Sequence, residues 1–129
     1  MATIIAQSTE KALKASLQAG RHALTSGEPV EAGGGDEGPA PHDFLLAGLG
    51  ACTTMTLRLY AERKGWDLQH VEVQVDGAHD GEEYRIHRTI RLIGALDAEQ
   101  RERLLQIANR CPVHRTLSGK INIETALTP

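Results

Sequence analysis

The chain has 129 residues and a mass of 14.0 kDa, enough for one compact domain and too little for two ordinary ones. Apolar residues make up 40% and charged residues 24%, a globular rather than a disordered composition. A net charge of −3 and only four aromatic residues (Phe44, Tyr60, Trp66 and Tyr84) argue against a nucleic-acid partner, which needs a basic surface or a stacking platform.

Met1 to Glu10 lacks a basic segment followed by an apolar one, so no secretory signal is expected and the cytosol is the expected compartment. Thr3 to Glu10 and Ala12 to Gly20 read as the first two strands. In the second, Leu13, Ala15, Leu17 and Ala19 alternate with Lys14, Ser16 and Gln18, the period of a sheet with one wet face. A turn is expected at Gly20, just before Arg21 and His22, and another at Gly27-Glu28-Pro29. Gly33-Gly34-Gly35-Asp36-Glu37-Gly38-Pro39 reads as a flexible loop. It is no phosphate cradle, because no lysine or Ser/Thr follows at the right spacing and its two acids repel anions.

Pro41 suits the first turn of a helix, and Pro41 to about Lys64 reads as one long helix ended by Gly65. Its first half is apolar almost all round, which predicts burial on every side. The most apolar stretch, Phe44 to Leu57, spans fourteen residues with two glycines and three threonines, too short to cross a bilayer. Val71, Val73 and Val75 alternate as a strand, and Asp76-Gly77 reads as the start of a connection. Tyr84, Ile86, Arg88, Ile90 and Leu92 share one face of the next strand. Asp97 and Gln100 form a capping pair that opens a helix to about Arg110, ended by Cys111-Pro112. Ile121, Ile123 and Thr125 suggest a last strand. The order predicts a single α+β domain over residues 1–129, with mainly antiparallel pairing around a long buried central helix.

Two cysteines, Cys52 and Cys111, stand 59 positions apart, in neither a CxxC pair nor a disulfide framework. Cys52 lies mid-way along the long helix among Leu45, Gly48, Leu49, Met55 and Leu59. There it is either a small hydrophobe or, given a cation from elsewhere, a nucleophile; Arg21 is the candidate cation, or else a plain surface arginine. Cys111 is expected at the negative end of a helix, which disfavours its thiolate, so the attacking role falls to Cys52. A Cys52–His114 nucleophile pair is a further possibility. Six histidines form no HxH or HxxxH cluster, so no metal site is expected, and no cofactor is indicated.

Gly38-Pro39-Ala40-Pro41, then Leu45-Leu46-Ala47-Gly48-Leu49-Gly50-Ala51-Cys52-Thr53, and later Cys111-Pro112-Val113-His114-Arg115-Thr116-Leu117, resemble the OsmC/Ohr family of osmotically inducible and organic-hydroperoxide-resistance proteins, in its OsmC-like branch. The resemblance implies an OsmC-like fold in an intertwined homodimer, acting as a thiol-dependent peroxidase on organic hydroperoxides, with no membrane partner. Carried over by motif, Cys52 matches the peroxidatic cysteine, Cys111 the resolving one and Arg21 the activating arginine. An external dithiol, in the family often a lipoylated protein, would regenerate the thiols. His42, Asp43, Phe44, Leu49 and Met55 fall around the expected substrate. The family's glutamate, ten residues before the peroxidatic cysteine, is replaced here by His42. On a regular helix His42 lies about 80° from the Cys52 direction and Asp43 on roughly the opposite face, so Asp43 reaches towards Cys52 only from a frayed first turn, and which of the two replaces the glutamate as the arginine's anchor stays open. That departure keeps a second expectation in play, a dimeric small-molecule-binding or stress-associated protein with little turnover. A Cys-His hydrolase using Cys52 and His114 is the third.

Overall fold

A computed structural model describes residues 2–129, which divide into two compact units, residues 2–45 and 46–129. In the first, β1 (Ile4–Ser8), β2 (Lys14–Ala19) and β3 (His22–Gly27) form an antiparallel sheet in that order. Ala19 pairs with His22 across the two-residue turn Gly20-Arg21, and the positive φ of Gly20 (60°) is what a tight hairpin with glycine first demands. The expected second strand therefore ends one residue before Gly20. The stretch from His22, which the sequence did not mark as a strand, returns along it as β3.

The glycine-rich loop is irregular, as expected, but it is not loose. Ser26 donates to the Pro39 carbonyl (2.9 Å), and Glu37 pairs with Lys11 (2.9 Å) and Lys14 (3.5 Å). Those lysines hold the Glu37 carboxyl below the usual range. A Cβ at Gly34 would collide with the Glu28 carbonyl, and one at Gly38 with that of Thr25. The glycines serve close approach as much as freedom.

α1 spans Pro41–Lys64, as the sequence predicts. It ends in a Schellman turn: Gly65 (φ 70°) donates to the Glu62 carbonyl and Trp66 to that of Ala61. One stripe of it is buried, Leu49, Thr53, Leu57 and Ala61, each four residues after the last. On other faces Leu45, Met55 and Leu59 remain exposed in the single chain, Met55 at 65%. An 18-residue window of α1 has mean hydropathy 1.3, apolar enough to cross a membrane by length and composition alone. Its packed stripe makes it a core helix instead.

In the second unit, β4 (Asp67–Asp80) and β5 (Glu83–Ala95) make one long antiparallel hairpin, with Asp80 opposite Glu83 across Gly81-Glu82. The expected connection at Asp76-Gly77 is strand. Glycine stands there because a Cβ would meet the Tyr84 hydroxyl and the Leu46 side chain. α2 (Ala98–Ala108) opens on the expected capping box: the Asp97 carboxylate accepts from Gln100 N–H (2.7 Å), and the Gln100 amide oxygen accepts from Asp97 N–H (2.9 Å). The core joins Leu57 and Ala61 of α1, Leu68 and Val71 of β4, and Leu104, Ile107 and Ala108 of α2.

Two expectations are corrected at the C-terminal end. Pro112 does not merely stop α2; it opens α3 (Pro112–Ser118), whose N-cap is Cys111. Residues 121–125 are not a strand: among the described residues no β-edge pairs with them, and Ile123 is 81% exposed.

Candidate functional site

The second unit gathers one polar cluster against its apolar core, drawn from α1, β5, the end of α2 and α3. From α1, the half-buried Cys52 has its Sγ 3.9 Å from the Thr56 hydroxyl. The next residue, Thr53, is fully buried and donates its hydroxyl proton to the Leu49 carbonyl at 2.7 Å. Such back-bonding to residue i−4 is how a threonine satisfies itself inside a helix. The same oxygen lies 3.9 Å from Cys111 Sγ.

Cys111 is also fully buried, and its sulfur accepts the His114 backbone N–H at 3.3 Å. The expectation that it sits at a negative helix end is therefore reversed. As N-cap of α3 it faces the free amides of a first turn, which favour a thiolate. Burial pushes the Cys111 thiol up. The His114 amide, the neighbouring Cys52 thiol, the Thr53 hydroxyl and the Arg88 charge together outweigh this and bring it below the ordinary thiol value.

Arg88, from β5, binds the cluster together. Its Nη1 donates to Thr53 Oγ1 (3.0 Å), and its Nη2 reaches Asn109 Oδ1 (2.9 Å) and His114 Nδ1 (3.0 Å). A guanidinium has no acceptor, so Nδ1 must accept and the proton of the neutral ring sits on Nε2. Burial, with the Arg88 charge beside it, holds the imidazole below its usual value. The ring's basic nitrogen is thus committed to Arg88, which removes the ground for pairing His114 with Cys52 as nucleophile and base.

Both cysteines named by the sequence thus meet, and both are free thiols. The other expected site residues lie as follows. Arg21 occupies the exposed β2–β3 turn in the first unit. His42, Asp43 and Phe44 form the first turn of α1, also in that unit, and Asp43 Oδ2 accepts from Ala40 N–H at 2.9 Å. Leu49 is buried in the α1 stripe and Met55 is exposed. Arg88, Thr53 and Asn109 were not singled out from sequence. Arg88 had left one trace, a charge in the middle of an otherwise apolar strand face. No group of three or more metal-ligating side chains occurs among the described residues.

A family model described as OsmC-like protein matches residues 33–126. No curated protein matches. Among solved structures, an OsmC-like protein from Mycoplasma pneumoniae is similar, with a TM-score of 0.80 and 22% identity over 92% of this chain and 88% of that one. The organic hydroperoxide resistance protein OhrB of Bacillus subtilis gives 0.64 and 22%, over 92% and 91%. An organic hydroperoxide resistance protein of Legionella pneumophila, described also as a predicted redox protein, gives 0.69 and 20%, over 92% and 90%. At these identities the likeness is one of fold.

Proposed function

Because this chain belongs to the OsmC family, we propose that it is a thiol peroxidase that reduces organic hydroperoxides with Cys52 and Cys111. The observation that carries this reading is the meeting of two free cysteines, remote in sequence, in one cluster beside a permanent cation. The names of the Bacillus and Legionella proteins of the same fold support the substrate class.

Cys52, the more accessible sulfur, attacks as thiolate on the O–O bond of ROOH. The bond breaks, one oxygen stays on sulfur as a sulfenic acid, and RO⁻ takes a proton and leaves as ROH. The Cys111 sulfur then displaces that oxygen, an S–S bond forms, and water leaves. An external dithiol, such as a lipoylated protein, reduces the disulfide by exchange and is itself oxidised. No metal or cofactor enters the cycle. Arg21 is the cation assigned to the attacking thiolate by family motif, and His42, Asp43, Phe44, Leu49 and Met55 are assigned to the substrate. The working unit is a cytoplasmic homodimer of single-domain chains. The apolar residues left exposed on α1 and beyond residue 120 support that assembly.

One observation favours the second reading, a binding or stress-associated protein of this fold with little turnover. The Asp43 carboxylate is engaged by the Ala40 amide, and Arg21 forms no ion pair among the described residues. Reduced protein treated with cumene hydroperoxide or hydrogen peroxide, with thiols mapped by mass spectrometry, separates the two. A peroxidase forms a Cys52–Cys111 disulfide, faster with the organic peroxide, and Cys111→Ser yields a trappable sulfenic acid on Cys52. Survival of both thiols in stoichiometric peroxide would leave only the binding reading.

A further inference from the structure

Tyr84, Ile86, Ile90 and Leu92 line the half-buried face of β5, and Arg88 stands among them, itself half-buried. A guanidinium stays protonated at any pH the fold survives, so β5 carries a permanent positive charge into the cluster. Its hydrogen-bond partners, Thr53 of α1, Asn109 after α2 and His114 of α3, are all uncharged in this arrangement. Among the described residues no carboxylate forms an ion pair with it. Only half withdrawn from water, the guanidinium still gains from a counter-charge on its buried side, towards Thr53. Besides the neutral His114, the ionisable groups in the cluster are the thiols of Cys52 and Cys111. Within the cluster, only a thiol can supply an anion.

We propose that Arg88 is the counter-cation of the Cys52–Cys111 dithiol, holding the one negative charge that remains on the pair after its first proton leaves. One hydroxyl links the two charges, since Thr53 Oγ1 accepts from Arg88 and touches Cys111 Sγ. At rest the charge lies mainly on Cys111, where the His114 amide donates to the sulfur, and proton exchange with the neighbouring Cys52 thiol passes it to the sulfur that attacks. Asn109 and His114 fix the other arm of the fork, so the guanidinium is held in place before the proton leaves. Arg88 is thereby a positioning residue for the thiolate. Its bearing on turnover rests on the peroxidase reading above; the ionisation itself needs no peroxide.

The test is a titration of the reduced protein, followed by ultraviolet thiolate absorbance and by the rate at which iodoacetamide labels each cysteine. Wild type should show one thiol ionising below the ordinary cysteine range. Arg88→Met, and Arg88→Gln, which can still donate to Thr53, should each lower the thiolate fraction about tenfold or more in mildly acidic buffer, the size of effect an opposite charge exerts at close range. Arg88→Lys should restore much of it. A packing role alone would lower thermal stability and leave the titration unmoved. Arg88 loses the role if either neutral variant, folded by circular dichroism, titrates like wild type. It also loses the role if wild type itself has no acidic thiol, an outcome that needs no variant. With no peroxide present, such a result leaves the peroxidase reading standing. An acidic, Arg88-dependent thiol pair that survives stoichiometric peroxide would support Arg88 and overturn peroxidase activity alone.

Discussion

Thr53 sets the chemistry of the cluster from a position the core would give to a hydrophobe. Its proton goes to the Leu49 carbonyl, so towards Arg88 it can only accept, and the guanidinium is drawn in beside the Cys111 sulfur. His114 is bound to the same cation through Nδ1 and is held neutral, which makes the site sensitive to acid. Its folded-state pKa lies below the unfolded value of 6.5, so as pH falls towards and below 6.5 the unfolded chain takes up more protons than the folded one. Stability should therefore fall on acidification through this window and be fully present above it. Comparing melting temperatures at about pH 8 and about pH 5, wild type should lose more than His114→Gln, whose amide oxygen can still accept from Arg88. Equal losses would show that the imidazole does not report on the cluster. Arg88 itself was legible only as an anomaly in the β5 alternation, because a strand pattern gives the face of a side chain and not its neighbours.

Local signals worked best at helix ends, where the determinants lie within four residues of one another. Pro41, Gly65 and the Asp97/Gln100 pair mark boundaries of α1 and α2, and the structure contains each. Asp97→Ala should remove the carboxylate that accepts from Gln100 N–H, leave the bond from the residue-97 N–H to the Gln100 side chain, and cost about 1 kcal/mol in urea unfolding. A loss below a few tenths would mean that core packing through Leu104 and Ile107 alone holds the helix. Glycine and proline misled where tertiary packing overrode their local meaning. Gly77 looked like a turn and is strand, because the Tyr84 side chain and Leu46 occupy the space of its Cβ. Pro112 looked like a stop and is a start, and the same error placed Cys111 at a negative helix end instead of an N-cap.

At the scale of the whole molecule, a 14.0 kDa chain leaves a good deal of its apolar surface unburied. Met55 and Leu59 of α1 are exposed, as are Ile121, Ile123 and Leu127 beyond α3. The apolar circumference of α1 is visible in the sequence, yet this chain buries a single stripe of it. The proposed homodimer would cover the remainder, and if it forms, sedimentation should give twice the chain mass. Met55→Glu, placing a charge on that exposed face, should shift the equilibrium towards the single chain, with at least a tenfold weaker association if the face is desolvated in the dimer. Wild type sedimenting at 14.0 kDa would remove the dimer from the account.

By itself the sequence determined the α+β order, the span of α1, the α2 cap and the two cysteines proposed for the site, since these follow from periodicity, capping chemistry and motif over short stretches of chain. Only the tertiary structure decided that Cys111 caps a helix, that His114 is spent on an arginine, and that Arg88 stands beside the thiols. The physical reason is range. Electrostatic and hydrogen-bond partners are chosen by proximity in space, and Thr53, Arg88 and Cys111 come from three elements that no local pattern relates.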